Sequence, residues 1–452
     1  MPTATTRTGA TPPPGLTTTA PRGAPWSGAG STRWWLLGIV VLGVALRVAW
    51  ALYATRQPVG LHDPTFYTVF AEEIARGNGY RLPDGQPTAY YPVGYPAVLG
   101  ALFWLADHSP LPDGRMGLVV GLNLACAASS LVLVFLIGRR LFDQRVALLA
   151  AGIMAVFPNL VFHAALALTE TLFITLALLA VLVLVSTPWE RRPLGALVGF
   201  GLLVGLSALV RPPSLLFLPV LALVGWWGAG WGWRAVGRSV LVAGLAAVAV
   251  IAPWTLRNAV VMTSPVIIST NMGDNLCIGN NPEATGAFQM PPSCLDGYDH
   301  LERPEYELRR DAEGRRKGLE HILGQPADQL RLVPLRLFHT FKDDTDGLHA
   351  AESYGADPFI PPFRRSILEA VANAVFFATL LTAMAAMPWL LRGRDPGRLL
   401  LLLSAVSLVL PPLVFFGDVR FHVPMIPFQV LAAAALLGAL ADMVRARWAA
   451  DR

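Results

Sequence analysis

Two carboxylates and three guanidiniums carry most of the chemistry this sequence offers. Asp63 follows the first long apolar run, and Glu170 opens another in "ALTETLF". Arg211 closes an apolar run in "LVRPPS", Arg257 ends one in "PWTLRN", and Arg420 lies in the short polar turn "GDVRFHVP" beside His422. A planar guanidinium matches phosphate oxygens two at a time and stays charged at a membrane surface. A carboxylate next to such cations suits glycosyl or phosphoryl transfer, because it is a general base for an acceptor hydroxyl while the cations stabilise the leaving group. The pattern assigns catalysis to Asp63 and Glu170, and binding of a lipid-linked phosphate to Arg211, Arg257, Arg420 and His422. Tyr67, Tyr91, Tyr95 and Asn258 are polar neighbours suited to positioning acceptor or donor. Plainer tasks compete: Asp before Pro caps a helix, Glu170 bonds between helices, and single arginines snorkel to lipid headgroups.

The elements that must position these residues are transmembrane helices. Of 452 residues 54% are hydrophobic and 14% charged, far from the balance of a soluble domain. Apolar windows fall at 34–54, 115–137, 146–163, 167–186, 194–210, 213–230, 239–256, 367–391, 398–416 and 422–443. Arg139, Arg140 and Arg145 occupy one connection, and Arg191 with Arg192, Arg234 with Arg238, Arg392 with Arg394 and Arg398, and Arg445 with Arg447 follow in alternate ones. The positive-inside rule makes that set, with both termini, cytoplasmic. The long connections 55–114 and 257–366 then face outward, and so does any elaborate site.

The expected organisation is a disordered basic tail over 1–32, a transmembrane module over 33–256 containing the first outer loop, an extracytoplasmic region over 257–366, further transmembrane helices over 367–444, and a cytoplasmic tail over 445–452. In the first outer loop Phe66, Val69, Phe70 and Ile74 repeat at helical spacing with Glu72, Glu73 and Arg76 opposite, and Tyr95, Val98, Leu99, Leu102, Phe103 and Trp104 mark a second helix. Both read as interfacial. So does the amphipathic stretch of Leu330, Val333, Leu337, Phe338 and Phe341. Cys277 and Cys294 share the second outer loop, where an oxidising compartment permits a bridge. Arg47 lies in the outer half of its span and reads as snorkelling.

Other features argue against other chemistries. No basic run with interleaved aromatics suggests nucleic acid, and the excess of Arg over Lys reads as a GC-rich bacterial genome. The triplet Asp344, Thr345, Asp346 looks like the metal–nucleotide-sugar motif of soluble transferases but reads as solvated charge in an outward loop. His300, His321, His339 and His349 lack ligand spacing. No P-loop or dinucleotide fingerprint is present. A divalent metal is compatible with the site, but no spacing names its ligands.

An Asp after the first span, then "FYTVFAEEIARGNGY", "PTAYYPVGYP", "LTETLF", "GLSALVRP", "PWTLRN", "GNNPEATG" and "RFHVPMIP" in that order resemble bacterial membrane glycosyltransferases related to the dolichyl-phosphate-mannose protein mannosyltransferases and the aminoarabinose lipid A transferase. The resemblance runs from about Arg33 to the last span. It implies an all-α polytopic bundle of the glycosyltransferase C type with two interfacial helices in the first outer loop. It also implies a catalytic acid at Asp63 and a polyprenyl-phosphate sugar as donor, the acceptor being a protein, lipid or glycan. Many relatives carry an Asp-Glu pair where Asp63 is here flanked by His62 and Pro64. The expectation is an inverting hexosyl or pentosyl transferase of the bacterial plasma membrane, working among membrane lipids on the extracytoplasmic side. The rivals are a polyprenyl-lipid transporter, which would place charges near the bilayer midplane, and a lipid-binding protein without catalysis.

Overall fold

The computed structural model describes residues 29–109, 114–191, 193–295, 301–355 and 357–451. Regular structure among them is helical, with isolated bridges only at Arg81 to Pro87 and Ala287 to Gly417. In chain order the helices are α1 (Ala29–Ala54), α2 (Asp63–Ala75), α3 (Gly94–Asp107), α4 (Arg115–Leu141), α5 (Gln144–Ala155), α6 (Pro158–Phe162), α7 (Glu170–Val185), α8 (Leu194–Val210) and α9 (Phe217–Leu223). They continue with α10 (Trp233–Val261), α11 (Met272–Gly279), α12 (Pro292–Leu295), α13 (Glu305–Gly324), α14 (Pro326–Phe341), α15 (Asp346–Ser353), α16 (Pro362–Leu391), α17 (Pro396–Val414) and α18 (Ile426–Ala450).

Six helical stretches among the described residues are long and apolar enough to cross a bilayer: Ser31–Ala54, Arg115–Leu141, Trp233–Val261, Pro362–Arg394, Pro396–Val414 and Val419–Ala450. The window at 146–163 is a pair, Gln144–Ala155 and Pro158–Ala165, bent by 58°. Pro158 accounts for the bend, since a proline starts a new helix more readily than it continues an old one. The remaining three windows hold the shorter apolar helices Glu170–Val185, Leu194–Val210 and Pro212–Gly228. The chain is therefore an all-α polytopic membrane protein.

The bend corrects the expectation for Arg47. This residue is 2% exposed and does not snorkel. Its guanidinium donates to the carbonyls of Ala155 (2.9 Å) and Met154 (3.4 Å) at the break, and to that of Gly43 (2.9 Å). Trp50 Nε1 donates to Phe162 O at 3.0 Å beyond the break.

The two long connections meet at one end of the bundle. Helices α2 and α3 pack so closely that a Cβ on Gly100 would stand 2.7 Å from Ile74 Cγ2 and 3.0 Å from Ala71 O. Tyr67, Phe70, Tyr95, Leu99 and Phe103 fill the contact, and Glu73, expected on the polar side, is buried against Arg76 and Asn78. From the second connection Glu307 of α13 accepts Ala89 N–H at 2.8 Å, and Thr270 N–H donates to Ala89 O at 3.0 Å. Cys277 and Cys294 are disulfide-bonded, their Cα atoms 6.0 Å apart. On α14 the face of Leu332, Arg336 and Thr340 is buried while Leu330 and Phe338 are exposed. Arg336 donates to Leu413 O at 2.6 Å, setting α14 at the end of span α17.

Candidate functional site

Four of the residues singled out by sequence converge where α2, α7, the end of α8 and the turn before α18 meet. Arg420 bridges the two acids: Nη1 donates to Asp63 Oδ2 at 2.6 Å, Nε donates to Glu170 Oε1, and Nη2 reaches Glu170 Oε2 at 3.4 Å. Arg211 donates to the same Glu170 Oε1. Two carboxylates and two guanidiniums thus neutralise one another at the mouth of an apolar bundle, where an unpaired charge would be costly. The two acids are not equivalent. Glu170 is fully buried, whereas the Asp63 side chain is 30% exposed. Of the two, only Asp63 is open to solvent.

The capping role weighed for Asp63 is not what its side chain does. His62 occupies the N-cap position of α2, Asp63 is the first helical residue, and no side-chain cap bond forms. The second carboxylate oxygen instead accepts from Tyr91 Oη at 2.7 Å. Burial, and then the Asp63 charge, hold the Tyr91 hydroxyl far above the usual phenol range, so it remains a donor. Tyr67 lies edge-on to both Tyr91 and Tyr95, with centroids at 5.2 and 5.5 Å. The three tyrosines grouped by sequence therefore form one wall. Tyr354, not foreseen, joins Pro64, Met116, Ala165, Ala350 and Arg56 around a small open cavity next to the start of α2. Its ring packs on that of His62 at 5.3 Å.

Two expected phosphate ligands are engaged elsewhere. Arg257 donates to the carbonyls of Thr88 (2.8 Å) and Tyr80 and to Asn258 Oδ1 (3.0 Å), with its guanidinium 4.9 Å from the Trp254 ring centroid. Its fork holds the loop that carries Tyr91. Asn258 Nδ2 donates to Val266 O at 2.9 Å, a structural task as well. His422 is a correction: it is fully buried, Nδ1 lies 2.7 Å from Thr340 O, and Nε2 lies 2.8 Å from Asp344 Oδ1. Neither nitrogen is free for a ligand.

Asp344 is the second correction. The triplet read as solvated charge has Asp344 fully buried, and Asp346 Oδ2 stands 3.2 Å from His163 Nε2. Burial pushes the Asp344 carboxyl above its usual range against the opposing pull of His422 and Asn159. Among the described residues no three His, Cys, Asp or Glu side chains converge to hold a metal ion. His321, mostly buried, and the exposed His349 pair with Asp328 and Glu369 at 2.9 and 2.8 Å, and His300 lies outside the described residues.

A family model described as dolichyl-phosphate-mannose-protein mannosyltransferase matches residues 115–256. No curated protein matches the chain. The oligosaccharyltransferase AglB of Archaeoglobus fulgidus, solved with an inhibitory peptide and a dolichol-phosphate, is 14% identical, with a TM-score of 0.53 over 93% of this chain and 52% of its own. The apo form of the Archaeoglobus fulgidus enzyme gives 13% and 0.54, covering 94% and 52%. ArnT of Cupriavidus metallidurans in the apo state is 18% identical over 89% of this chain and 78% of its own, at a TM-score of 0.40. The fold is thus similar to that of the archaeal oligosaccharyltransferase over nearly the whole of this chain. The matched segment is that of the protein mannosyltransferase family model, and the chain spans about half the length of the archaeal enzyme.

Proposed function

We propose that the chain is a membrane glycosyltransferase that takes a sugar from a polyprenyl-phosphate donor and places it on an acceptor hydroxyl, with inversion, at the extracytoplasmic face. The observation that carries this is the sharing of Arg420 between an exposed carboxylate and a buried one, with Arg211 behind. An arriving donor phosphate competes for Arg420 Nη1, while Arg211 continues to balance Glu170. Released from that guanidinium, the Asp63 oxygen is free to take the acceptor proton as the acceptor oxygen attacks the sugar C1. The bond from C1 to phosphate oxygen breaks, and its electron pair leaves with the polyprenyl phosphate, where Arg420 and Arg211 meet the developing charge. A single displacement without an enzyme nucleophile inverts C1.

The reading is supported by the fold, by the family match over 115–256 and by the site geometry. It leaves Arg257 and Asn258 holding the first outer loop. The face assigned to the site follows from the alternation of Arg-rich connections. Transfer from a radiolabelled polyprenyl-phosphate sugar in proteoliposomes tests the activity, and the anomeric configuration of the product, read by NMR, tests inversion. A product that keeps the donor configuration sinks the single displacement; donor binding without transfer points to a lipid carrier.

A further inference from the structure

His422, Asp344 and Asn159 form a buried hydrogen-bonded set directly behind Arg420. Thr340 O can only accept, so His422 Nδ1, 2.7 Å away, carries a hydrogen. Asp344 Oδ1 accepts from Asn159 Nδ2 at 2.6 Å and lies 2.8 Å from His422 Nε2, so one proton is shared along that last contact. The imidazole lies between Phe341 and Phe376, whose centroids are 5.8 and 4.4 Å away at interplanar angles of 18° and 28°, which fixes its plane. Asn159 Oδ1 accepts Gly347 N–H at 2.9 Å, and Asp344 N–H donates to Asn373 Oδ1 at 2.8 Å. Position 347 admits no side chain, because a Cβ there would stand 2.8 Å from Asn159 Oδ1 and 2.9 Å from His163 Cδ2. Four elements are therefore joined: α6, the junction of α14 with α15, α16, and the turn before α18.

That turn carries Arg420. Its N–H is held on one side by Asp418 Oδ1 at 2.8 Å, and His422 anchors it two residues further on. In the ligand-free site the guanidinium is also held by its ion pairs, but a donor phosphate has to displace one of them. From that moment the remaining pair with Glu170 and the backbone anchors fix the root of the side chain. We propose that His422 and Asp344, with Asn159, are positioning residues that keep the Arg420 fork in register with the donor phosphate, an assignment that rests on the function proposed above.

The test uses the full chain in nanodiscs and has two arms. In protein labelled with ¹⁵N-histidine, with His422→Gln as the assignment control, the His422 ring is expected to keep a slowly exchanging Nδ1–H and a second proton shared at Nε2. A His422 ring that exchanges freely with solvent overturns the clamp, and this arm needs no sugar transfer, so it stands if the proposed function fails. In the second arm Asp344→Asn removes an atom that can accept from Asn159 while sharing a proton with His422, and kcat at saturating donor should fall about 10- to 100-fold. The swap Asn159→Asp with Asp344→Asn returns a carboxylate to the set and should recover most of the lost rate, and it decides the matter even if the single variant fails to fold. Parental turnover in Asp344→Asn, or a swap that restores melting temperature without turnover, overturns the positioning role.

Discussion

Two knots of carboxylate and arginine lie at the same end of this bundle, and they are tied differently. In the knot of the long connections, Glu307 Oε1 accepts from the backbone N–H of Ala89 (2.8 Å) and from Thr270 Oγ1 (2.5 Å), and Oε2 from Thr88 Oγ1 (2.8 Å) and Arg303. Asp274 beside it accepts from Tyr90 Oη at 2.6 Å and Arg310 Nε at 2.8 Å. In the knot of the spans, Asp63 and Glu170 take no backbone N–H; every partner is a side chain. A carboxylate pinned to the main chain cannot change partners without opening the loop. One paired only with side-chain donors can, and an incoming phosphate offers the exchange. The same residue types thus make a rivet in one place and a receptive site in the other.

Breaking the receptive knot should remove activity and leave the fold. Asp63→Asn keeps the Tyr91 bond and the helix start, yet an amide cannot act as a base. Transfer should drop by about 10² to 10⁴ while the melting curve stays near the parent's. Near-parental turnover at saturating donor would assign the base elsewhere, with Glu170 next. Breaking the rivet should do the reverse: Glu307→Ala leaves the buried Ala89 N–H and the Thr88 and Thr270 hydroxyls without their acceptor, at a cost of about 1–3 kcal/mol for each group left unpaired. Limited proteolysis should open the second connection first, and equal protease resistance in variant and parent would contradict the contrast.

Smaller effects sharpen the comparison. Replacing Cys277 and Cys294 together by Ser should cost about 3 kcal/mol by chain entropy, read as faster amide exchange in the second connection with turnover retained. Arg420→Lys keeps the charge but loses the fork and should weaken donor binding about tenfold, whereas Arg257→Lys should leave donor affinity within about twofold. If Arg257→Lys weakens donor binding as much as Arg420→Lys, then Arg257 leaves the loop carbonyls to meet the phosphate.

The members of the receptive knot were legible in the sequence because a charge inside or at the end of an apolar window is conspicuous. Glu170 lies inside one, Arg211 closes another and Arg420 sits in the short turn between the last two, while Asp63 was marked by its place in the first outer loop. Asp344 and Asn159 carry no such mark. Asp344 sits in a polar stretch that looks solvated, and its burial comes from α6 and α16, elements nearly 200 and about 30 positions away in the chain. Tyr354 was invisible for a similar reason, since only the folding of α15 against the end of α1 brings it to the cavity. Ten apolar windows each found a helix, but their hydropathy could not distinguish the bent pair at 144–165 from a straight span.

That bent pair has a consequence for how the chain enters the membrane. Carbonyls at a helix break are expensive in hydrocarbon, and so is an Arg within a span, the more so the further it lies from the interface. Arg47 of α1 and the carbonyls of Met154 and Ala155 cancel each other's cost, but only after three intervening helices have been made. Until then α1 carries an unmatched charge. Its lasting placement in the bilayer is completed by a later segment, so the order of synthesis and the order of stable insertion differ for the first span.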